Sequence, residues 1–299
     1  MEKSKKKSYF IRRLKLFFKR NYATLIALPV ILALAYYALK VEPDTLKITQ
    51  YTFYHEKVTP ELDGTVIVLI ADLHANLRRN ALWHKVTGSL ELLPDNIIIL
   101  QAGDLINGNG RGLKIDAALE KLKMLKNPDR IYSIPGNHEY RYRYGGIEAI
   151  RQAFGQYNLT LLQDKSLILT TSQGGKFNLV GLDFMRNPHR RMDEKRTEKL
   201  FRDDMLNIVL THTPEDFPYL PTQAHLTLSG HTHGGQIHIP LLGSVINPPG
   251  YPRKYSYGKV VENNKTLLVT SGLGSAYTQA RFCMPPEIVF ITLKMPNKK

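Results

Sequence analysis

The sequence predicts an α/β domain with a partly parallel sheet, carried behind an N-terminal membrane helix. Three observations predict it. From residue 65 onward, short β-branched apolar runs alternate with amphipathic segments. Polar residues able to do chemistry stand just past the ends of those runs. Residues 23–39 hold no charge and follow a strongly basic leader. With 299 residues, 43% of them hydrophobic and 22% charged, the chain can bury one large core or two small ones and is not disordered. Its one cysteine, Cys283, excludes an intramolecular disulfide framework and a zinc site of several thiolates, and leaves the redox compartment open.

The leader comes first. Residues 1–22 carry nine Lys/Arg against Glu2, so eight of the fifteen net positive charges lie there. The remaining body is modestly basic, and no nucleic-acid partner is expected. Phe10, Ile11, Leu14, Phe17 and Phe18 recur at helical spacing, with Arg12, Arg13, Lys15, Lys19 and Arg20 in the gaps. That pattern fits a helix lying on anionic lipid, at ~1 kcal/mol per basic residue near the surface. Residues 23–39, ATLIALPVILALAYYAL, then reach roughly 26 Å as a helix, against a ~30 Å hydrocarbon core. Arg20 and Lys40 can snorkel to cover the difference. A membrane span tolerates Pro29, and Tyr36 and Tyr37 suit the interface. Residues 23–40 are therefore expected as a retained single-pass anchor. Ala33-Leu34-Ala35 leaves a cleaved signal as one alternative, and a buried core helix is another. The excess of basic residues places 1–22 in the cytoplasm and the domain outside it, whereas in-plane attachment would keep the domain on the cytoplasmic face. Residues 41–64 are expected as a connector, and 65–299 as one domain.

Within the body, Thr65–Ala71, Asn96–Gln101, Arg130–Ile134, Phe177–Leu182, Asn207–Thr211 and His225–Ser229 read as buried strands. Leu82–Leu93, Leu113–Lys126 and Gly146–Phe154 read as helices between the early ones. After residue 236 the runs are short and broken by Gly and Pro. This part is expected to be all-β, with Glu287–Lys294 as the last strand.

Five of these runs end in a polar motif. They are Asp72-Leu73-His74, Gly103-Asp104, Gly136-Asn137-His138-Glu139, His212, and Gly230-His231-Thr232-His233. Each residue alone has an ordinary explanation. Asp72 suits a helix cap, Asp104 and Asn137 suit turns, and His212 suits a satisfied core histidine. All five at strand ends are not coincidence, because open α/β sheets build their sites there. Oxygen and imidazole ligands without thiolate suit Mn, Fe, Zn or Co. Alternation in D-x-H and H-x-H sends both side chains to one side of an extended segment. One carboxylate among so many neutral ligands is a natural bridge between two cations. Glycines 103, 136, 230, 234 and 235 let backbone pass close to such ions. His238, although near this cluster, is expected to be a strand residue without a metal.

Read in order, D-x-H, G-D, G-N-H-E, H and G-H-x-H resemble the calcineurin-like metallophosphoesterases over about residues 65–294. GHTHGGQ, Pro285-Pro286-Glu287 and the anchor resemble the membrane-associated bacterial branch related to UDP-2,3-diacylglucosamine pyrophosphatases. The resemblance implies a four-layer α/β/β/α sandwich of two mixed sheets with two divalent metals, Mn favoured over Fe or Zn. One metal would be held by Asp72, His74, Asp104 and His233, the other by Asp104, Asn137, His212 and His231. It implies two cations ~3.5–4 Å apart and attack on phosphorus by the hydroxide that bridges them. Asp104 and His138 are the expected catalytic residues, His138 protonating the leaving oxygen or stabilising charge.

The expected reaction is hydrolysis of a phosphodiester or pyrophosphate in a lipid-linked substrate such as UDP-2,3-diacylglucosamine, at an anionic membrane surface. The alternatives are an anchored phosphoesterase for nucleotides or phosphoproteins, or a non-enzymatic metal-binding envelope protein. Arg141 and Arg143 are expected substrate contacts, with Tyr140, Tyr142 and Tyr144 stacking beside them. Gln236 and Arg281 are further expected contacts. NPHRRMDEKR, residues 187–196, is a second basic loop.

Overall fold

The computed structural model describes residues 2–75, 80–109, 114–184, 197–239, 242–244, 252–276 and 278–296, apart from the side chains of residues 2–8 and 14. The basic loop at 187–196 lies outside the described residues.

The leader and the apolar run form one helix, α1 (Glu2–Tyr36), which passes through Pro29 without ending. At 1.5 Å per residue it is roughly 52 Å long. Its apolar side chains face outward, and it is long and apolar enough to cross a membrane. A π turn, Tyr37–Val41, and a 3₁₀ turn, Glu42–Asp44, connect it to the body.

The body is built on two six-stranded mixed sheets. The first runs β1 (Lys47–Tyr54), β14 (Glu287–Lys294), β2 (Val66–Ile70), β3 (Ile98–Ala102), β4 (Ile131–Ile134) and β5 (Thr160–Leu161). The second runs β12 (Gly258–Glu262), β13 (Lys265–Val269), β9 (Leu226–Ser229), β8 (Asn207–Leu210), β7 (Lys176–Gly181) and β6 (Lys165–Thr170). β2 to β5 are parallel, as are β7, β8, β9 and β13. β14 runs parallel to β1 and antiparallel to β2, and β6 and β12 run antiparallel to β7 and β13. A small hairpin, β10 (His238–Ile239) with β11 (Gly243–Ser244), stands apart.

Side chains alternate between faces with period two, which explains why these strands read as unbroken apolar runs. Val68, Ile70 and Ile99 point outward under α2 (Asn80–Glu91), α3 (Ile115–Lys123) and α5 (Gly146–Gln156), meeting Val86, Leu119 and Ile150. Ile67, Leu69, Ile98 and Leu100 point inward against Leu179, Ile208, Leu210 and Leu228 of the second sheet. Each such fully buried side chain contributes roughly 1.5–3 kcal/mol. On the far face, Val180, Val209 and Leu267 pack under Phe217 and Tyr255. The layers follow the expected order. Among the described residues, the fourth layer consists of 3₁₀ turns, Pro214–Tyr219 and Arg253–Tyr255, rather than α-helices.

Residues 41–64, read from the sequence as a connector, are folded into the body. β1 pairs in parallel with β14 along its whole length, and Phe53, Val58 and Leu62 enter the core between the sheets. β1 is an edge strand in which only Phe53 is buried, so its sequence, KITQYTFY, shows no apolar run.

Candidate metal centre

The parallel strands of both sheets deliver their carboxyl ends to one edge. Asp72 and His74 follow β2, Asp104 follows β3, and Asn137 and His138 open the short helix α4 (Asn137–Tyr140) after β4. From the second sheet, His212 follows β8, and His231 and His233 follow β9. All are buried except His138 and His231, which are partly exposed.

The backbone bends sharply to bring them together. Asp72, His74, Asp104, His231 and His233 all have positive φ, between 39° and 70°. Non-glycine residues rarely adopt this conformation, and such strain gathers at functional sites. Gly136 and Gly103 allow the closest approaches. A Cβ on Gly136 would strike the Asp104 carboxylate, and one on Gly103 would lie 2.6 Å from His212 Nδ1.

The hydrogen bonds fix which ring nitrogens face inward. His74 Nδ1 donates to Asn107 Oδ1 at 3.0 Å, which leaves the Nε2 lone pair free. That lone pair faces His233 Nε2 at 3.2 Å and Asp104 Oδ2 at 3.7 Å. His233 Nδ1 is buried with no hydrogen-bond partner. Likewise His212 Nδ1 donates to the Ala102 carbonyl at 2.8 Å. Its Nε2 then faces His231 Nδ1 at 3.0 Å, Asn137 Oδ1 at 3.2 Å and Asp104 Oδ2 at 3.4 Å. Two sets of imidazole, amide and carboxylate groups therefore converge, with Asp104 between them. Nitrogen and oxygen groups gathered in this way fit divalent metals.

The charges agree with this reading. Burial dominates at His74 and His231 and holds them down to about 4 and about 3, so both rings are neutral. Burial likewise holds His233 well below its ordinary range. At His212 burial opposes charge, but the Asp104 carboxylate overcomes it and pushes the ring up to about 9. A positive charge is favoured beside Asp104, as a proton if not as a metal. Burial, reinforced by Asp104, raises Asp72 to about 7.

His138 stands at the mouth, its side chain 22% exposed. Its Nδ1 accepts the Gly108 amide at 3.1 Å, so the neutral ring carries its proton on Nε2, 3.9 Å from Asp104 Oδ2. Burial, followed by the pull of Asp104 in the other direction, leaves its pKa lowered.

The sequence reading gave no role to two residues that hold this geometry. Glu139 is buried, and its carboxylate accepts the amides of Gly136, Asp104 and Ile106. It thereby ties the β3 and β4 loops together. Asn107 sets the tautomer of His74. Glu139 was visible as part of G-N-H-E, whereas Asn107 carried no signal beyond standing three residues after Asp104.

The expected substrate contacts divide. Arg141 and Arg143 are exposed just after α4, and the charge of Arg141 is felt at His138. Tyr142 is buried, with its hydroxyl accepting the Ile115 amide, so it is not a stacking surface. Tyr140 donates to Asp183, and Tyr144 is open. Gln236 and Arg281 must be corrected. The Gln236 amide donates to the carbonyls of Thr278 and Ala280 and accepts the Ala276 amide. Arg281 is fully buried, with its guanidinium on the carbonyls of Ser271, Gly272, Gly274 and Met284. Both shape the loop behind the site instead of facing a substrate. His238 lies in β10, as expected, with Nδ1 toward Ser244.

Comparison with known proteins agrees with this centre. A profile of the calcineurin-like phosphoesterases matches residues 65–235, which include every residue of the two converging sets. The uncharacterized metallophosphoesterase YkuE of Bacillus subtilis is 29% identical over 87% of this chain and 90% of its own length. The UDP-2,3-diacylglucosamine pyrophosphatase LpxG of Chlamydia trachomatis is 26% identical over 89% of this chain and 94% of its own. A dimetal phosphatase from Danio rerio superposes with a TM-score of 0.40 at 12% identity, over 73% of this chain and 91% of that one. The chain belongs to the calcineurin-like phosphoesterase family and is a metal-dependent phosphoester hydrolase.

Proposed function

We propose that this protein is a membrane-anchored dinuclear phosphohydrolase that cleaves a phosphodiester or pyrophosphate bond in a lipid-linked substrate of the UDP-2,3-diacylglucosamine type. The convergence of two sets of imidazole and carboxylate groups on Asp104 carries the hydrolase reading. Asp72, His74, Asp104 and His233 would hold one divalent ion, and Asp104, Asn137, His212 and His231 the other. Oxygen and imidazole without thiolate suit Mn, Fe or Zn, and manganese is the ion the family resemblance favours. The lipid reading rests on the apolar helix α1 and on the similarity to LpxG.

When bound, two such cations polarise a phosphoryl oxygen and acidify water. The protein's own groups do the rest. Asp104 supplies the negative charge shared by both halves, and Glu139 holds its loop. His138 presents an Nε2–H at the mouth, placed to hydrogen-bond the leaving oxygen and stabilise the charge that develops on it. Arg141 and Arg143 offer cations beside it for a second phosphate. The excess of positive charge before the span supports an extracytoplasmic domain.

The test is turnover of a panel by the full chain in detergent or nanodiscs with Mn²⁺, comparing a lipid pyrophosphate, a nucleotide diphosphate and a phosphopeptide. Preference for the lipid pyrophosphate is expected. A preference for the nucleotide or the peptide would replace the lipid reading, and no turnover of any of them would overturn the hydrolase reading.

A further inference from the structure

The base of α1 does not meet the body through a loose tether. The Arg281 amide donates to the Ala38 carbonyl at 2.9 Å. The buried Glu42 carboxylate accepts the amides of Cys283 and Met284. Tyr37 and Phe282 pack edge to face, with ring centroids 6.4 Å apart. The segment 281–284 is thereby fixed to the last turns of the helix.

The same segment is fixed to the β10–β11 hairpin. The Phe282 amide donates to the Gln236 carbonyl, and the His238 amide donates to the Phe282 carbonyl. Ser244 Oγ in turn donates to the carbonyl of Gly234, next to His233. The helix base, hairpin and metal centre therefore form one connected collar.

Ile239 and Leu242, apolar residues described in the hairpin, are exposed. Leu242 is 71% exposed and Ile239 is 37% exposed, and the Leu242 amide bonds back to the Ile239 carbonyl. The guanidinium of Arg253 lies beside Gly243. Exposed aliphatic residues flanked by a cation suit a lipid interface, where the apolar groups enter the acyl boundary and the cation meets anionic headgroups. Tyr37, Leu39 and Val41 at the helix base are exposed as well.

We infer that the β10–β11 hairpin is a second membrane contact, inserting Ile239 and Leu242 into the leaflet that holds the base of α1 and seating the metal centre at that interface. This rests on the reading of α1 as a membrane anchor. A site held this way meets phosphates of lipids in its own leaflet.

Tryptophan fluorescence of the full chain in nanodiscs containing brominated lipid tests this without requiring turnover. Leu242→Trp is compared with Ile31→Trp in the helix and Leu92→Trp, an exposed position just past the end of α2, after subtracting the emission of buried Trp83. Blue-shifted, quenched emission is expected for Leu242→Trp and Ile31→Trp, and not for Leu92→Trp. If Ile31→Trp is quenched while Leu242→Trp behaves like Leu92→Trp, the inference fails and the anchor stands. If neither is quenched, the anchor reading fails and takes this inference with it.

Discussion

Among the described residues two groups of histidines pack together, and one of them has the makings of a metal site. At the carboxyl ends of the strands, ring pairs among His74, His138, His212, His231 and His233 lie 4.7–5.0 Å apart. At the opposite edge, His55 and His225 lie closer, at 4.4 Å, with Phe53 stacked on His55. In that pair each Nδ1 accepts a backbone amide, from Lys57 and from Asn207. The nearest charges at His55, those of Glu56 and Lys57, oppose each other. At the metal centre the rings of His74 and His233, and of His212 and His231, turn nitrogens toward one another around Asp104. Proximity of imidazoles is therefore not what makes the site, and the buried carboxylate that the rings surround is what sets it apart.

Asp104→Ala tests this difference most severely, because it removes the charge common to both halves. Loss of metal stabilisation worth several kcal/mol should lower kcat/KM by roughly 10³-fold or more. Steady-state kinetics on a simple phosphodiester would check this, and near-normal turnover would break the comparison. His138→Ala should cost roughly 10²–10³-fold in kcat, as for a lost donor to developing negative charge, with metal content unchanged. Loss of metal from that variant would show instead that His138 is a ligand. Gly136→Ala presses a methyl group against the Asp104 carboxylate and should destabilise the loaded protein by about 1–3 kcal/mol, read from thermal unfolding.

The smallest effect concerns the other histidine pair. Burial, with His55 and Lys57 adding to it, lowers His225 to about 4. Folding then excludes a proton that the unfolded chain takes up below its ordinary value near 6.5. Stability from this source is complete above pH 6.5 and lost as pH falls toward 4. His225→Gln should shallow that acid-side decline in unfolding midpoint without changing turnover at neutral pH. An unchanged acid profile would remove His225 from the account.

Much of this centre was legible because residue type and place coincided. Asp72, His74, Asp104, Asn137, His212, His231 and His233 each follow an apolar run whose burial on both faces is plain in the sequence. What was not legible depends on contacts distant in sequence. β1 is a half-exposed edge strand whose partner, β14, lies more than two hundred residues on. Glu42 looked like linker but caps amides near the C-terminus. Gln236 and Arg281 have side chains that would serve a phosphate equally well, and only the packed loop shows that backbone carbonyls already occupy them. The π turn at Tyr37–Val41 had no sequence signal distinct from the helix it ends.

The central claim is that Asp104 unites two metal sites and the His55–His225 pair makes none. Metal content per chain, measured by inductively coupled plasma mass spectrometry after Mn²⁺ loading and desalting, tests it most directly. The wild type and a His55→Ala/His225→Ala double variant should each hold two ions, and Asp104→Ala should lose most of both. Two ions retained by Asp104→Ala, or lost from the double variant, would contradict it.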